Sequence, residues 1–146
     1  MPDLGKDVLL TRIETAINQS GWRLFIRNEE HPFRILVGRE GESRNLIIYV
    51  WTLTSGGPAS VRPADEFRIQ ITGVTSPLFV GPTSQTLLLG WYEELSVFVA
   101  FDVQRHLTPR FSASVQVRLP TIEEAVNLGF AFQRRTNDEM VVVFAP

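Results

Sequence analysis

The sequence predicts an α+β domain, a strongly curved and mainly antiparallel sheet or partly open pseudobarrel with two helices. Three observations predict this class. Apolar residues recur with a helical period in only two segments, one near each end of the chain. About eight or nine short segments instead run apolar or alternate apolar with polar residues, and turn residues separate them. Helices and strands do not alternate strictly, which argues against a parallel βαβ sheet.

The first half of the chain starts with an amphipathic helix between Lys6 and Ser20. Its apolar stripe consists of Leu9, Ile13, Ala16 and Ile17. Gly21 is a typical C-terminal stop. Two short strands follow, at residues 22–27 and 33–37, and the turn between them contains His31, which we expect to be solvated. Residues 45–54 form the next strand, and its apolar core predicts a central strand covered on both faces.

A long loop rich in Gly, Pro and Ser then leads to a strictly alternating strand at residues 67–73. Its polar face carries Arg68, Gln70 and Thr72. The strands at 86–91 and 96–102 are close enough to form a hairpin, and a short helical turn or loop is expected at 103–107.

The last quarter of the chain begins with a second alternating strand at residues 112–118. Its polar face carries Ser112, Ser114, Gln116 and Arg118. The sequence from Thr121 to Glu124 resembles a capping box, which predicts that Thr121 caps a helix that ends at Gly129. Residues 130–134 and 140–145 are expected to form a final hairpin.

Composition predicts one domain with an ordinary core. The chain has 146 residues, 44% of them hydrophobic, and a formal net charge of -2. A chain of this length buries about two-thirds of its unfolded surface, so it needs neither disulfide nor metal to fold. Cysteine is absent, which excludes thiolate nucleophiles and cysteine-ligated metals, and two histidines are too few for a histidine-rich metal site. We therefore predict no cofactor.

Location and domain organisation follow from the same composition. The chain has no apolar run of the roughly eighteen residues that a membrane span needs, and its start lacks the features of a signal peptide. We expect a cytoplasmic protein in which residues 1–146 form a single recognition domain. The chain stops directly after an apolar strand, so we expect either a natural terminus at this point or an N-terminal module of a longer protein.

Enzymatic motifs are weak. Asp65 and Glu66 suggest the paired acids of a metal-dependent nuclease, but adjacent acids on a strand point to opposite faces and the usual lysine is missing. Asp102 and His106 could join a serine in a triad, yet the chain has no Gly-x-Ser-x-Gly elbow. Phosphate-loop and dinucleotide motifs are also missing. A stand-alone enzyme is therefore the third-ranked hypothesis, and no catalytic residue is predicted.

The polar faces of the two alternating strands indicate DNA binding. Arginine and glutamine present planar sets of donors and acceptors that match guanine and adenine edges. The segment 103–118 contains three arginines, one histidine and no acid. Against this hypothesis stand the negative net charge and the ordinary occurrence of arginine on open sheet faces. The predicted DNA-binding residues are Arg62, Arg68, Gln70, Arg105, His106, Arg110, Ser114, Gln116 and Arg118.

Aromatic residues suggest a second feature, a pocket that sandwiches an extruded base while an acid binds its polar edge. The candidate pocket residues are Tyr49, Trp51, Asp65, Trp91, Tyr92 and Asp102. The competing interpretation is that these rings simply belong to the core.

Four stretches of the chain carry a resemblance to a known family. They are YVWTLTSGG from Tyr49, RPADEFRIQITG from Arg62, LLLGW from Leu87 and VAFDVQRH from Val99. Over about residues 45–118 the chain resembles the N-terminal recognition domains of prokaryotic restriction endonucleases, particularly the modification-dependent enzymes. The resemblance implies a pseudobarrel that reads duplex DNA, with a methylated or otherwise modified base as one target, joined to a separate C-terminal nuclease domain.

The leading prediction is therefore a module that reads double-stranded DNA and targets a nuclease domain, with no membrane partner. In this hypothesis Arg62 and the backbone of residues 55–57 lie near phosphates, and Arg105, His106 and Arg110 steer the DNA. The alternative is a protein-interaction or small-ligand module with an aromatic pocket. A positive groove joining Arg68 to Arg105 favours DNA. Arginines paired to Glu93, Glu94 or Glu123 favour the alternative.

Overall fold

The computed structural model describes residues 4–55, 66–74, 76–108, 113–135 and 138–146. Within these ranges the chain forms two α-helices and nine strands, which confirms the α+β class. In chain order they are α1 (Lys6–Gln19), β1 (Arg23–Arg27), β2 (Phe33–Arg39), β3 (Glu42–Thr52), β4 (Glu66–Ile71), β5 (Gln85–Tyr92), β6 (Val97–Phe101), β7 (Ala113–Arg118), α2 (Leu119–Leu128), β8 (Phe130–Arg134) and β9 (Met140–Phe144). The helical turn after β6 is also confirmed, as a 3-10 turn at Val103–Arg105.

Seven of these strands form one sheet in the order β1-β2-β3-β5-β6-β9-β8. All neighbours are antiparallel except β3 and β5, which run parallel. Both predicted hairpins, β5–β6 and β8–β9, are confirmed. In the described part of the chain β1 and β8 are the two edges and do not pair, so the sheet is not closed and the pseudobarrel form of the prediction is not confirmed.

Strand β3 is covered on both faces, as its apolar sequence predicted. Ile47, Tyr49 and Trp51 point into one hydrophobic core, whereas Ile48 and Val50 point into a second core on the opposite face. Because successive side chains of a strand alternate between faces, an apolar run of this length needs a cover on both sides of the sheet.

The second core is closed by α1. Leu9, Leu10 and Ile13 of this helix are buried against the sheet, while Ala16 and Ile17 pack at its margin. The predicted stripe therefore covers the sheet, with Leu10 added. Gly21 has a φ of +88°, the left-handed conformation expected of a residue that ends a helix.

The first core is closed by a separate two-stranded sheet of β4 and β7, called here the ribbon. The ribbon joins the end of β3, where the backbones of Thr54 and Arg68 exchange two hydrogen bonds of 2.9 and 2.8 Å. It packs close to β5 at Gly90, where an added Cβ would lie 2.7 Å from Cγ2 of Ile69. A glycine at this position therefore lets the ribbon approach the large sheet.

The second helix starts differently from the sequence prediction. It begins at Leu119 with Arg118 as its N-cap, and Pro120 lies in its first turn. The capping-box prediction at Thr121 is wrong, because Thr121 is already inside the helix and its hydroxyl donates to Oε1 of Gln133 at 2.9 Å. Strand β7 leads directly into the helix, and Pro120 lacks the N–H that a cap would satisfy. The helix ends at Gly129, at a φ of +93°, as predicted.

Candidate nucleic-acid interface

The ribbon sorts its side chains by face. Its inner face carries Phe67, Ile69, Ile71, Val115 and Val117, all at most 8% exposed. The outer face pairs Glu66 with Arg118, Arg68 with Gln116 and Gln70 with Ser114. The alternation therefore brings five of the nine predicted DNA-binding residues together on one surface.

Hydrogen bonds connect the middle of this outer face. Arg68 Nη1 lies 3.4 Å from Oγ of Ser114, and Gln116 Nε2 donates to the same oxygen at 3.1 Å. Oε1 of Gln116 accepts a 3.1 Å bond from Nη2 of Arg135, just beyond β8. Nε of Arg68 is buried and has no hydrogen-bond partner within the described ranges. Arg68 is therefore held in position while one of its donors stays unsatisfied there.

The network continues to a buried carboxylate, Glu139, in the turn between β8 and β9. Glu139 is 0% exposed and binds Nη1 of Arg135, Nε2 of His106 at 2.9 Å and the amide of Asp102 at 2.9 Å. Burial would raise the pKa of Glu139, but the hydrogen bonds from His106 and Asp102, together with the charges of His106 and Arg135, outweigh it and lower that pKa. A charged Glu139 thus joins the last hairpin to the 3-10 turn, and Arg135 links the hairpin to Gln116 of the ribbon.

A groove of about 500 Å³ lies between β7, the start of α2 and β8. Its polar lining consists of Glu66, Gln116, Arg118, Thr121, Gln133, Arg134 and Arg135. Oε1 of Gln133 accepts bonds from the amide of Arg118 and the hydroxyl of Thr121, both at 2.9 Å, and so ties the floor of the groove to α2. The groove extends the polar face of the ribbon and adds two arginines to it, Arg134 and Arg135.

Sequence reasoning missed Gln133, Arg134, Arg135 and Glu139. The available signal was the hairpin that follows α2, where two arginines and a glutamine end a strand and an acid starts the return strand. Nothing local shows that this hairpin lies beside β7, because α2 separates the two segments in the chain and their hydrogen bonds form only in the folded structure.

The remaining predicted DNA-binding residues are distributed differently. Arg105 is exposed and lies 3.8 Å from Oδ2 of Asp102. The His106 side chain is only 16% exposed, and its Nε2 binds Glu139. His106 therefore holds the end of the 3-10 turn against Glu139 and presents little surface to solvent. Arg62 and Arg110 lie outside the described residues, as does Asp65 of the predicted base pocket.

The four aromatic residues of the predicted base pocket do not line one pocket. Tyr49, Trp51 and Tyr92 are buried in the core under the ribbon, whereas Trp91 is buried in the core under α1. Trp91 and Tyr92 are neighbours on β5, and successive side chains of a strand face opposite ways. The competing interpretation, that these rings pack the core, describes their positions.

The polar atoms of three of these rings already have partners inside the protein. The hydroxyl of Tyr49 accepts the Phe79 amide at 2.9 Å, and Nε1 of Trp91 donates to Glu93 at 2.7 Å. The hydroxyl of Tyr92 donates to Glu94 at 2.6 Å, and burial together with this carboxylate raises its pKa to about 12. Asp102, the remaining described member of the predicted pocket, caps the 3-10 turn through the Gln104 amide.

The expectation that His31 is solvated is wrong. Its Nε2 accepts the Val50 amide at 2.9 Å, and its ring packs edge-on against the ring of Trp51 at 4.9 Å between centroids. Burial, together with the nearby charge of Lys6, lowers the pKa of His31 to about 3. Strand β2 starts at Phe33, so it places no strand residue opposite Val50. The ring of His31 instead provides the hydrogen-bond acceptor for the Val50 amide.

Arginines paired to Glu93 or Glu94 were expected to favour the protein-interaction or small-ligand alternative, and both acids have partners outside the ribbon. Glu93 holds Arg12 of α1 through two bonds of 2.9 and 2.8 Å, and these bonds, with the one from Trp91, lower the pKa of Glu93 to about 2. Glu94 accepts the bond from Tyr92. Because Arg12 lies on α1, its pairing leaves the arginines of the ribbon face unaffected.

Comparison with known protein families gives a match over most of the chain. Residues 44–146 match the family described as Methylase-associated X1, and this range includes the ribbon, the groove and both hairpins. No curated protein and no solved structure is significantly similar to the chain. Within the described residues, no helix is long and apolar enough to cross a membrane. The family description indicates a restriction–modification context, which agrees with the general part of the resemblance noted in the sequence. With more than half of its length matched, the chain belongs to the Methylase-associated X1 family.

Proposed function

We propose that this domain reads double-stranded DNA within a restriction–modification system. The observation that carries the proposal is the outer face of the ribbon, where Arg68, Gln70, Ser114, Gln116 and Arg118 stand together above a buried apolar face. A two-stranded antiparallel ribbon fits the major groove of B-DNA, which is about 12 Å wide. Arginine and glutamine are the side chains that make two-bond contacts with guanine and adenine there.

Arg68 is the best candidate for a base contact. Its bond to Ser114 is long, at 3.4 Å, and its buried Nε has no hydrogen-bond partner in the described ranges. Arg68 therefore gives up little when it turns toward a ligand acceptor, and that movement exposes the unsatisfied Nε. Gln70, two residues along the same strand, is exposed and points to the same side.

Phosphate contacts are assigned to the exposed arginines around the ribbon. Arg105 and Arg134 lie 3.8 and 3.7 Å from exposed acids, Asp102 and Asp138. Exposed pairs of this kind contribute about 0–1 kcal/mol, so phosphates can compete with these acids. The number of such arginines is small and the net charge is -2. We therefore expect modest affinity, with a salt dependence equivalent to about three or four phosphate contacts.

The recognition module would direct a catalytic activity that lies elsewhere. The resemblance to restriction endonucleases implies a nuclease domain, whereas the family description associates the domain with a methylase. Both enzymes act on the same DNA sites in a restriction–modification system, so one recognition face could serve either. Recognition of a methylated or otherwise modified base is a further part of the proposal, and it rests on the resemblance alone.

The test is a fluorescence-anisotropy titration with a random-sequence pool of duplexes, methylated and unmethylated, at low salt. We expect Arg68→Ala to weaken binding by about 1–3 kcal/mol, or roughly 5- to 160-fold in Kd. Arg134→Ala should lower the slope of log Kd against log salt by about one phosphate contact. The matched control is Arg44→Ala, since Arg44 is an exposed arginine paired with Glu42 in the β2–β3 hairpin, and it should bind as the parent does.

Two results would overturn the proposal. No binding to any duplex at low salt would remove DNA as the ligand. Equal losses in the Arg68 and Arg44 variants would show that the ribbon face is not the reading surface. A preference for methylated duplex supports recognition of a modified base, and equal binding of the two pools rules it out.

A further inference from the structure

The exposed edge strand β8 carries an apolar surface that the proposed DNA-binding function does not use. Phe130 and Phe132 are each 56% exposed, and their rings lie 5.6 Å apart in an edge-to-face arrangement. Met140 and Leu128, at 42% and 68% exposure, are close by in sequence and pairing. Exposed apolar groups that cluster in this way mark an interaction surface more often than scattered ones do.

The two edges of the seven-stranded sheet differ in how they are protected. At the other edge, β1 contains a bulge between Leu24 and Ile26 and carries an arginine at each end. Bulges and charges of this kind prevent a sheet edge from pairing with another chain. Strand β8 pairs with β9 through five consecutive residues with no shift in register, and it contains no proline. Its outer side is therefore a regular template for a further strand.

The hydrogen bonds of the β8–β9 hairpin identify which groups face outward. The carbonyl of Gly129 accepts the Ala145 amide, and the Arg135 amide donates to the carbonyl of Glu139. Because the pattern repeats every two residues, the odd-numbered residues of β8 bond to β9. The amides and carbonyls of Phe130, Phe132 and Arg134 point away from β9, and none has a hydrogen-bond partner in the described part of the chain.

We infer that β8 pairs with β8 of a second copy of this chain, antiparallel and centred on Phe132, to form a two-fold dimer with one continuous sheet. This register is the one in which all outward groups of the three residues find partners. Phe132 pairs with Phe132 of the second copy, and Phe130 pairs with Arg134 of the second copy at both ends. If the register is shifted by two residues, only two of the three residues on each strand lie opposite one of these residues in the second copy. The outward groups of the third residue then stay unsatisfied.

The side chains fit the same register. The two Phe132 rings meet at the dyad, on the face that also carries Phe130. Each Arg134 lies opposite Phe130 of the second copy on that face. On the opposite face the small Ala131 lies across from Gln133, which leaves room for the longer side chain.

The test is sedimentation velocity of the protein without DNA, from about 1 µM to about 1 mM, a range that covers weak and moderate dimers. We expect the mass to rise toward twice the 16.5 kDa of the chain. Phe132→Lys should raise the dimer dissociation constant about tenfold or more, because lysine protects strand edges and the central contact is lost. Phe25→Lys is the matched control, since Phe25 is 58% exposed on the opposite edge strand, and it should dimerise as the parent does.

Amide hydrogen exchange, followed residue by residue, tests the register and does not depend on any variant. The outward amides of Phe130, Phe132 and Arg134 should become protected as concentration rises. Those of Ala131 and Gln133, already bonded to β9, should not change. A monomer at every concentration, or a dimer without this alternation, would overturn the inference. The dimer does not rest on the proposed function, because both measurements omit DNA.

Discussion

Replacing Glu139 with glutamine tests whether the buried carboxylate is what joins the last hairpin to the 3-10 turn. Glu139 is 0% exposed, and its two oxygens accept hydrogen bonds from Arg135, His106 and the Asp102 amide. A glutamine has the same shape but places an NH2 group against one of these donors. At least one buried donor then loses its acceptor, at a cost of about 1–3 kcal/mol. Loss of the negative charge beside Arg135 adds to this, for a total of about 3–5 kcal/mol.

The neighbouring carboxylate provides a matched control. Asp138 lies in the same turn and pairs with Arg134 at 3.7 Å, but both side chains are at least 70% exposed. Its φ of +66° is one that asparagine tolerates. Asp138→Asn therefore makes the same chemical change, carboxylate to amide, with an expected cost below about 1 kcal/mol.

The assay is urea unfolding at pH 7, followed by tryptophan fluorescence. The free energy of unfolding of each variant is compared with that of the parent, provided that its dependence on urea concentration has the same slope. Because the pKa of folded Glu139 lies below the ordinary 4.5, its contribution is present above that pH and is lost as the pH falls through the folded value. The difference in free energy of unfolding between the parent and Glu139→Gln should therefore become smaller in acid. Equal destabilisation by the two variants would refute the assignment of Glu139 as the central acceptor.

Two further predictions concern the packing of the two cores. Gly90→Ala should destabilise the fold by about 1–3 kcal/mol in the same urea assay, because the new Cβ would lie 2.7 Å from Ile69 and 3.3 Å from Leu53; an unchanged midpoint would contradict close packing of the ribbon. In an NMR titration the His31 ring should stay neutral from pH 8 to pH 4, since its folded pKa is about 3. The unfolded chain takes up that proton near pH 6.5, so this group makes the folded state less stable as the pH falls from about 6.5 toward 3, and a ring that titrates near 6.5 would show that His31 is solvated.

Several elements were predictable because their signals are local. The stripe of α1, the apolar run of β3 and the alternation of β4 and β7 each follow from the period of the sequence alone. The same alternation identified the outer face of the ribbon, with Arg68 and Gln116 directly opposite each other. The capping-box prediction failed at Thr121 because an equally local signal, Pro120, starts the helix earlier, and because the Thr121 hydroxyl bonds to a distant residue.

Which residues share a face of each strand or helix follows from the sequence alone, since the backbone of an element sets its side-chain period. Which of these faces meet depends on the tertiary fold. The tertiary fold separated Trp91 from Tyr92 into different cores, surrounded Glu139 with donors from two segments, and brought Arg134 and Arg135 beside the ribbon. These arrangements depend on contacts between residues far apart in the chain. The burial of apolar surface that stabilises those contacts occurs only when the whole sheet has formed.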